Sequence, residues 1–271
     1  MKKKLGSIKY LFLILFSIVA VFPFLWLLST SFKGAEEVFL FPPKLFPSKI
    51  NTDNYIGIVN AIPLWRYFFN TLFVVISTVG VNVLIASLTG FALARFNFKF
   101  KNIFFMIILA SMLVPKEIIV IPLYRTVLSL GLVDTLFGVI LPFAAEGFAI
   151  FMMRQAFLSI PKDIEEAAII DGANMFNLWF KVLLPITKPT LATLVIFTFI
   201  GTWGDFIWPL IILKSSENFT LQVGLSYMLG TFVNNYRYVA AGSVIALIPV
   251  IVVFFSMQKY FIKGIITGSG K

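Results

Sequence analysis

The chain has 271 residues, 59% of them hydrophobic and only 13% charged, with 32 Phe and a formal net charge of +10. A soluble domain of this size keeps roughly a quarter of its residues charged, so this composition, with a mean hydropathy of +0.97, excludes an ordinary water-covered globule and points to lipid as the main solvent. It has neither Cys nor His, which excludes disulfides, thiolate metal sites and the commonest general base.

Six apolar stretches approach the roughly 20 residues that a helix needs to cross a bilayer. They are Tyr10–Ser29, Asn70–Leu93, Ile103–Pro122, Leu136–Met153, Leu191–Leu213 and Val239–Met257. The third is interrupted by Lys116 and Glu117, and the fourth contains Glu146. The first follows Lys2, Lys3 and Lys4. Its apolar run is too long for a cleaved leader and has large residues where a small-x-small site would lie, so a retained span is expected.

With six spans both termini share one side. The segments on that side, 2–9, 95–101, 154–188 and 259–271, carry fourteen of the 22 Lys and Arg. Positive charge is retained in the cytoplasm, so the termini are expected inside. The same bias accounts for the basic balance by anionic headgroups rather than nucleic acid.

Between spans, the outer segment 30–69 is rich in Pro and aromatic residues, and the outer loop 214–238 is polar. The inner loop reads SIPKDIEEAAIIDGANMFNLWFKVLLPITKP. Pro161 suits a first helical position, acids Asp163, Glu165 and Glu166 follow where the helix dipole favours them, and Gly172 suits a left-handed stop. Asn174 can cap a second helix, which Pro185 limits. Ile164, Ala167, Ala168, Met175 and Phe176 have no lipid span to serve, so this helix–turn–helix needs a partner surface.

Glu166-Ala167-Ala168, three residues, Gly172, nine residues, then Val182-x-Leu184-Pro185 resembles the EAA loop of ATP-binding-cassette (ABC) importer permeases, with one conservative change. The segments TSFKGAEEVFLFPPKLFPS, FALARFNFK, MLVPKEIIVIPLY, GLVDT, TWGDFIWPLIIL and QKYFIKGIITG are similar to carbohydrate permeases of the maltose and glycerol-phosphate type, specifically the shorter six-span partner. Two departures are the triplet Trp203-Gly204-Asp205, where Trp-Asn-Asp is usual, and the tail Gly268-Ser269-Gly270-Lys271.

The resemblance implies an all-α polytopic protein with the type I importer transmembrane fold. It would be a single permease domain over 1–271, with 1–69 forming the first span and an extracytoplasmic loop, and 70–260 the core. It implies a multi-pass protein of a bacterial cytoplasmic membrane that moves a sugar, an oligosaccharide or a glycerol-phosphate-like solute, by alternating access. The implied partners are a second permease, two ATPase subunits and an extracytoplasmic sugar-binding protein. ATP and magnesium would be held by the ATPases, leaving this chain without a cofactor or metal. Residues Glu165, Glu166, Ala167, Ala168, Asp171, Gly172, Leu184 and Pro185 would dock into the ATPase.

Two acids fall within spans, Glu146 and Asp205, and such groups normally face protein or a watery path. Glu146 reads either as a substrate contact or as a structural acid, and Asp205 as a shared gating or structural residue. Trp203, Phe206 and Trp208 could stack on sugar rings, or be interfacial aromatics. The longer partner of this family supplies most sugar contacts. Phe219, Asn234, Asn235 and Tyr236 occupy the loop expected to meet the binding protein. Small residues at fourfold spacing, Ala86, Gly90 and Ala94, then Gly242 and Ala246, read either as close packing or as ordinary membrane composition.

Three other readings are weaker. A secondary transporter usually shows several intramembrane charges and inverted repeats, and neither is visible. A membrane enzyme lacks a nucleophile–base or metal constellation here. A purely structural subunit has no use for the EAA pattern. The terminal GSGK is not a Walker A motif, because Ile265 stands where that motif needs Gly and no Ser or Thr follows Lys271.

Overall fold

A computed structural model describes residues 2–230 and 236–268, with 2–8 and 259–268 as backbone alone. All regular elements among the described residues are helical. The chain divides into two compact units, 1–66 with 223–248, and 67–222 with 249–271.

In the first unit, α1 (Lys2–Ser31) is a long apolar helix that tolerates Pro23 in its interior. The segment after it folds about two buried polar residues. Asn54, in α2 (Asp53–Ala61), donates its side-chain amide to the carbonyls of Ser31 at 2.8 Å and Lys33 at 2.9 Å. Lys33 is 2% exposed, yet its Nζ donates to the Lys44 carbonyl at 2.7 Å and lies 4.1 Å from the centroid of the Trp26 ring. These partners satisfy backbone and ammonium groups that would be costly if buried alone.

The second unit is built on α3 (Leu64–Arg95), which enters it at Tyr67. Its C-terminal half meets α7 (Gly147–Leu158) at Gly90, where an added Cβ would come within 2.8 Å of Met153 Cβ and of the Arg154 backbone nitrogen. Ala86 is fully buried in the same core cluster. Of the two readings of this small-residue stripe, the close approach of backbones is the one present. Around it pack Phe91, Leu93, Phe157, Leu178, Trp179 and Leu183.

Among the described residues, helices α1 and α3 and the last helix, α13 (Tyr236–Gly268), which follows α12 (Leu221–Gly230), are long and apolar enough to cross a membrane alone, five spans resulting if each of two bent helix pairs counts as one. The other expected spans are interrupted, and the interruptions sit at residues that break helices. The third, expected over Ile103–Pro122, is instead α4 (Lys101–Ser111) and α5 (Val120–Ser129), separated by turns at 112–119. An 11-residue helix rises only about 16 Å. Pro115 cannot donate to a preceding turn, and the charges of Lys116 and Glu117 follow it.

The fourth span, expected as continuous over Leu136–Met153, bends by 45° between Leu136–Phe143 and Gly147–Leu158, α6 (Leu136–Ile140) opening it. Glu146, expected inside a helix, is instead the extended residue at the break, and its freed N–H is offered to the buried Asn82 Oδ1 at 3.4 Å. The fifth, expected over Leu191–Leu213, breaks after Trp203 at Gly204 and Asp205.

Candidate functional site

The loop after α7 forms two helices. Pro161 stands just outside α8 (Lys162–Ile170) as its N-cap, one place earlier than expected. The helix ends in a Schellman motif: Ala173 N–H donates to Ala168 at 2.9 Å, Gly172 N–H donates to Ile169 at 3.0 Å, and Gly172 has φ +87°. A residue with a Cβ adopts that backbone at a cost.

The second helix, α9 (Met175–Ile186), starts on Asn174, whose side chain accepts from Asn177 N–H at 2.8 Å. Its centre, Leu178–Leu183, widens to π geometry. Pro185 has no N–H for the carbonyl one turn back, which accounts for a register change at that point. Pro185 does not end the helix, which runs on to Ile186 before turning by 79° into α10 (Lys188–Trp203). The buried Thr187 makes the corner, donating its hydroxyl to Leu184 at 2.9 Å.

This helix–turn–helix is fixed on one face and bare on the other. Ala168, Val182 and Leu184 pack against the core cluster. Arg95, at the end of α3, ion-pairs with Glu165, the two side chains being 9% and 13% exposed. Burial pushes the Glu165 carboxyl above the usual carboxylate range, against the pull of the Arg95 and Lys162 charges. On the other face Glu166, Ala167 and Asp171 are exposed, as are Ile169, Ile170, Met175 and Phe176, with Ile170 reaching 85%. The result is a polar–apolar patch held on a rigid base.

A second feature lies among the broken helices. A cavity of about 400 Å³ is bounded by Lys116, Glu117, Glu146 and Asp205, by the faces of Phe143, Phe148 and Phe197, and by hydroxyl residues including Thr220. Every charged residue on it comes from an interruption: Lys116 and Glu117 between α4 and α5, Glu146 before α7, and Asp205 before α11 (Ile207–Ile212). Breaking the helix is what brings polar backbone and charge to that depth, which a membrane tolerates where they line a cavity. Lys116 Nζ lies 2.7 Å from Glu146 Oε1, and Asp205 accepts from Trp208 N–H at 3.4 Å.

The expected path residues therefore separate. Glu146, Asp205 and Trp208 share the cavity, while Trp203 does not line it. Trp203 is buried in an aromatic stack, 5.7 Å from Phe199 and 5.6 Å from Phe68. Trp208 is held by its indole N–H, which donates to the Gly138 carbonyl at 3.2 Å. Phe219, expected at a protein contact, is 7% exposed and packs 6.0 Å from Tyr67. Tyr236 is exposed and sits edge-on to Phe39 at 5.5 Å. Asn234 and Asn235 lie outside the described residues.

Sequence reasoning missed two members. Lys116 reads there only as an outer charge that weakens a span, and Arg95 only as a topology signal; the Pro115-Lys116-Glu117 triplet was the available sign of the first.

Away from the cavity lining, Asp134 in the segment between α5 and α6 has φ +61° and gathers the loop at 214–218. It accepts from Lys214 N–H at 2.8 Å, Ser215 N–H at 2.9 Å and the Ser215 hydroxyl, with Asn218 donating to its carbonyl. Burial acts to raise this carboxyl, but the donors of Ser215, Lys214 and Asn218 together outweigh it and bring its pKa down to about 2.

Residues 82–267 match the family model of the binding-protein-dependent transport system inner membrane component. The chain is 37% identical over 264 residues to the arabinooligosaccharides transport system permease protein AraQ of Bacillus subtilis (strain 168), covering 96% of this chain and 94% of that protein. It is 33% identical over 268 residues to the sn-glycerol-3-phosphate transport system permease protein UgpE of Rhizobium meliloti (strain 1021), covering 96% and 95%. Among solved structures, one described as a bacterial ABC transporter involved in the import of the acidic polysaccharide alginate has a similar chain. It has a TM-score of 0.85 and 28% identity, and 96% of this chain and 97% of that one are covered.

A fold of long and broken apolar helices around a charged cavity, with an exposed helix–turn–helix at 162–186, defines a membrane translocation subunit. The chain belongs to the binding-protein-dependent transport system inner membrane component family. It is a multi-pass inner-membrane permease subunit and not itself an enzyme, ATP hydrolysis being the work of a partner ATPase.

Proposed function

We propose that this chain is the shorter permease of a sugar importer, acting with a second permease, two ATPases and an extracytoplasmic binding protein. The solute is an oligosaccharide or a glycerol-phosphate-like compound and moves inward by alternating access. Both termini face the cytoplasm, and ATP and magnesium are held by the ATPase subunits, so this chain carries no cofactor of its own. The observation that carries this reading is the helix–turn–helix at 162–186, whose inner face is fixed by Ala168 and Arg95–Glu165 while Ile169, Ile170 and Phe176 stand exposed. That geometry suits reception of a push from a neighbouring subunit: Ala167 allows close seating, and Glu166 offers a polar contact.

Charge reversal at Glu166→Lys, or Gly172→Asp in the turn, is expected to abolish ATP-driven solute uptake by the reconstituted importer while the complex still hydrolyses ATP and inserts in the membrane. Uptake undiminished in both variants would sink the coupling role.

A further inference from the structure

The cavity described above carries a charge balance that bears on its solute, and the argument rests on the sugar-importer reading of that cavity. Three carboxylates line it, those of Glu117, Glu146 and Asp205, and among the described lining residues Lys116 is the one cation. That cation is already engaged. Its Nζ contacts Glu146 at 2.7 Å and lies 4.8 Å from the centre of the Phe143 ring.

An anionic solute entering here would leave water, meet no free positive group, and face the carboxylates of Glu117 and Asp205. Each of these three effects opposes binding, and a low-dielectric wall magnifies them. A neutral polyhydroxy compound faces no such opposition. Its hydroxyls donate to carboxylate oxygens, which have lone pairs to spare. Thr220, 2% exposed and on the cavity wall, has a hydroxyl oxygen with no hydrogen-bond partner, so the wall also holds an unfilled polar position. Phe148 and Phe197, edge to face at 6.1 Å, offer ring surface for the apolar faces of a sugar.

We propose that this cavity selects uncharged or amino-bearing oligosaccharides and rejects phosphorylated or uronate sugars. This narrows the function above to its first alternative. It also separates this chain from relatives whose described solutes, glycerol-3-phosphate and alginate, are anions.

The test uses the assembled importer in lipid nanodiscs without its binding protein, so that the binding protein's own selectivity does not enter. Calorimetric titration at about 0.15 M salt compares maltotriose and arabinotriose, chitosan trisaccharide and trigalacturonate. At least one neutral or amino trisaccharide should bind about tenfold or more tightly than trigalacturonate. In Glu117→Gln, an exposed position where a folding defect is least expected, and in Asp205→Asn, that ratio should shrink. Trigalacturonate binding as tightly as the neutral sugars, or a ratio unmoved in both variants, overturns the charge selection while leaving a sugar path intact. Absence of binding by every trisaccharide overturns both the selection and the sugar reading of the cavity.

Discussion

Arg95 and Glu165 form an ion pair at the root of the coupling loop, and the same guanidinium donates from Nη2 to the Ile160 carbonyl at 3.1 Å. One residue at the end of a long helix thus fixes both the entry to α8 and its first turn. Removing Arg95 would take the ion-pair partner from a largely buried carboxylate and leave it the pull of the Lys162 charge alone, a change that costs up to about 3 kcal/mol in comparable sites. Arg95→Gln should therefore loosen α8, seen as faster amide exchange over 162–170, and Glu165→Gln should do so less.

The pH dependence of that variant follows from the direction of the Glu165 shift. Its carboxyl is raised by burial, so the folded form favours the neutral acid. The favourable contribution is whole below the ordinary glutamate range and is lost as pH rises through the elevated value. With Arg95 gone the ionised form loses its ion-pair partner, so the gap in exchange rates between wild type and Arg95→Gln should be small near pH ~4 and widen toward pH ~7. A gap constant across that range would count against the ion pair as the cause.

Asp134 gives the opposite sign. Its carboxyl is held at about 2, so its contribution is present above the ordinary aspartate range and is lost as pH falls through that value. The difference in Tm between wild type and Asp134→Asn should be largest above pH ~4 and close as pH approaches ~2.

Two glycines fail for different reasons. At Gly172 an added Cβ meets nothing within 4 Å, but φ is +87°, so the cost is conformational. Gly172→Asn should be milder than Gly172→Ala, and Gly172→Val worst, with Ala losing about 1–2 kcal/mol. At Gly90 the conformation is ordinary and the obstacle is backbone at 2.8 Å. Gly90→Ala should lower Tm by forcing α3 from α7, with Gly90→Leu worse than Gly90→Val through bulk alone.

Trp203→Phe should leave solute affinity unchanged while reducing thermal stability, since the ring stacks on Phe199 away from the cavity. A selective loss of affinity would return Trp203 to the solute path.

The elements legible in the sequence were those specified locally. Gly172, Asn174 and the acids after Pro161 each fix their own turn through backbone preference and short-range hydrogen bonds, so the coupling loop could be read residue by residue. Hydropathy gave the long helices α1, α3 and α13 for the same reason: apolar content is a property of the segment itself. What hydropathy averages away is a break. Three stretches long enough by composition are divided at Pro115, Glu146 and Gly204-Asp205, because one missing N–H or one capped carboxylate decides the backbone while barely changing the mean. The partnerships of Arg95 with Glu165 and of Lys116 with Glu146 join residues far apart in the chain, and no periodicity records them.

The corner at Thr187 has a mechanical consequence. It joins α9, which carries Met175 and Phe176 of the exposed apolar patch, directly to α10, whose Leu194, Phe197, Thr198, Gly201 and Thr202 form one wall of the cavity. With Thr187 buried and hydrogen-bonded at the elbow, the two arms form a crank. Torque applied to that patch would be delivered, without any intervening linker, to this wall of the cavity.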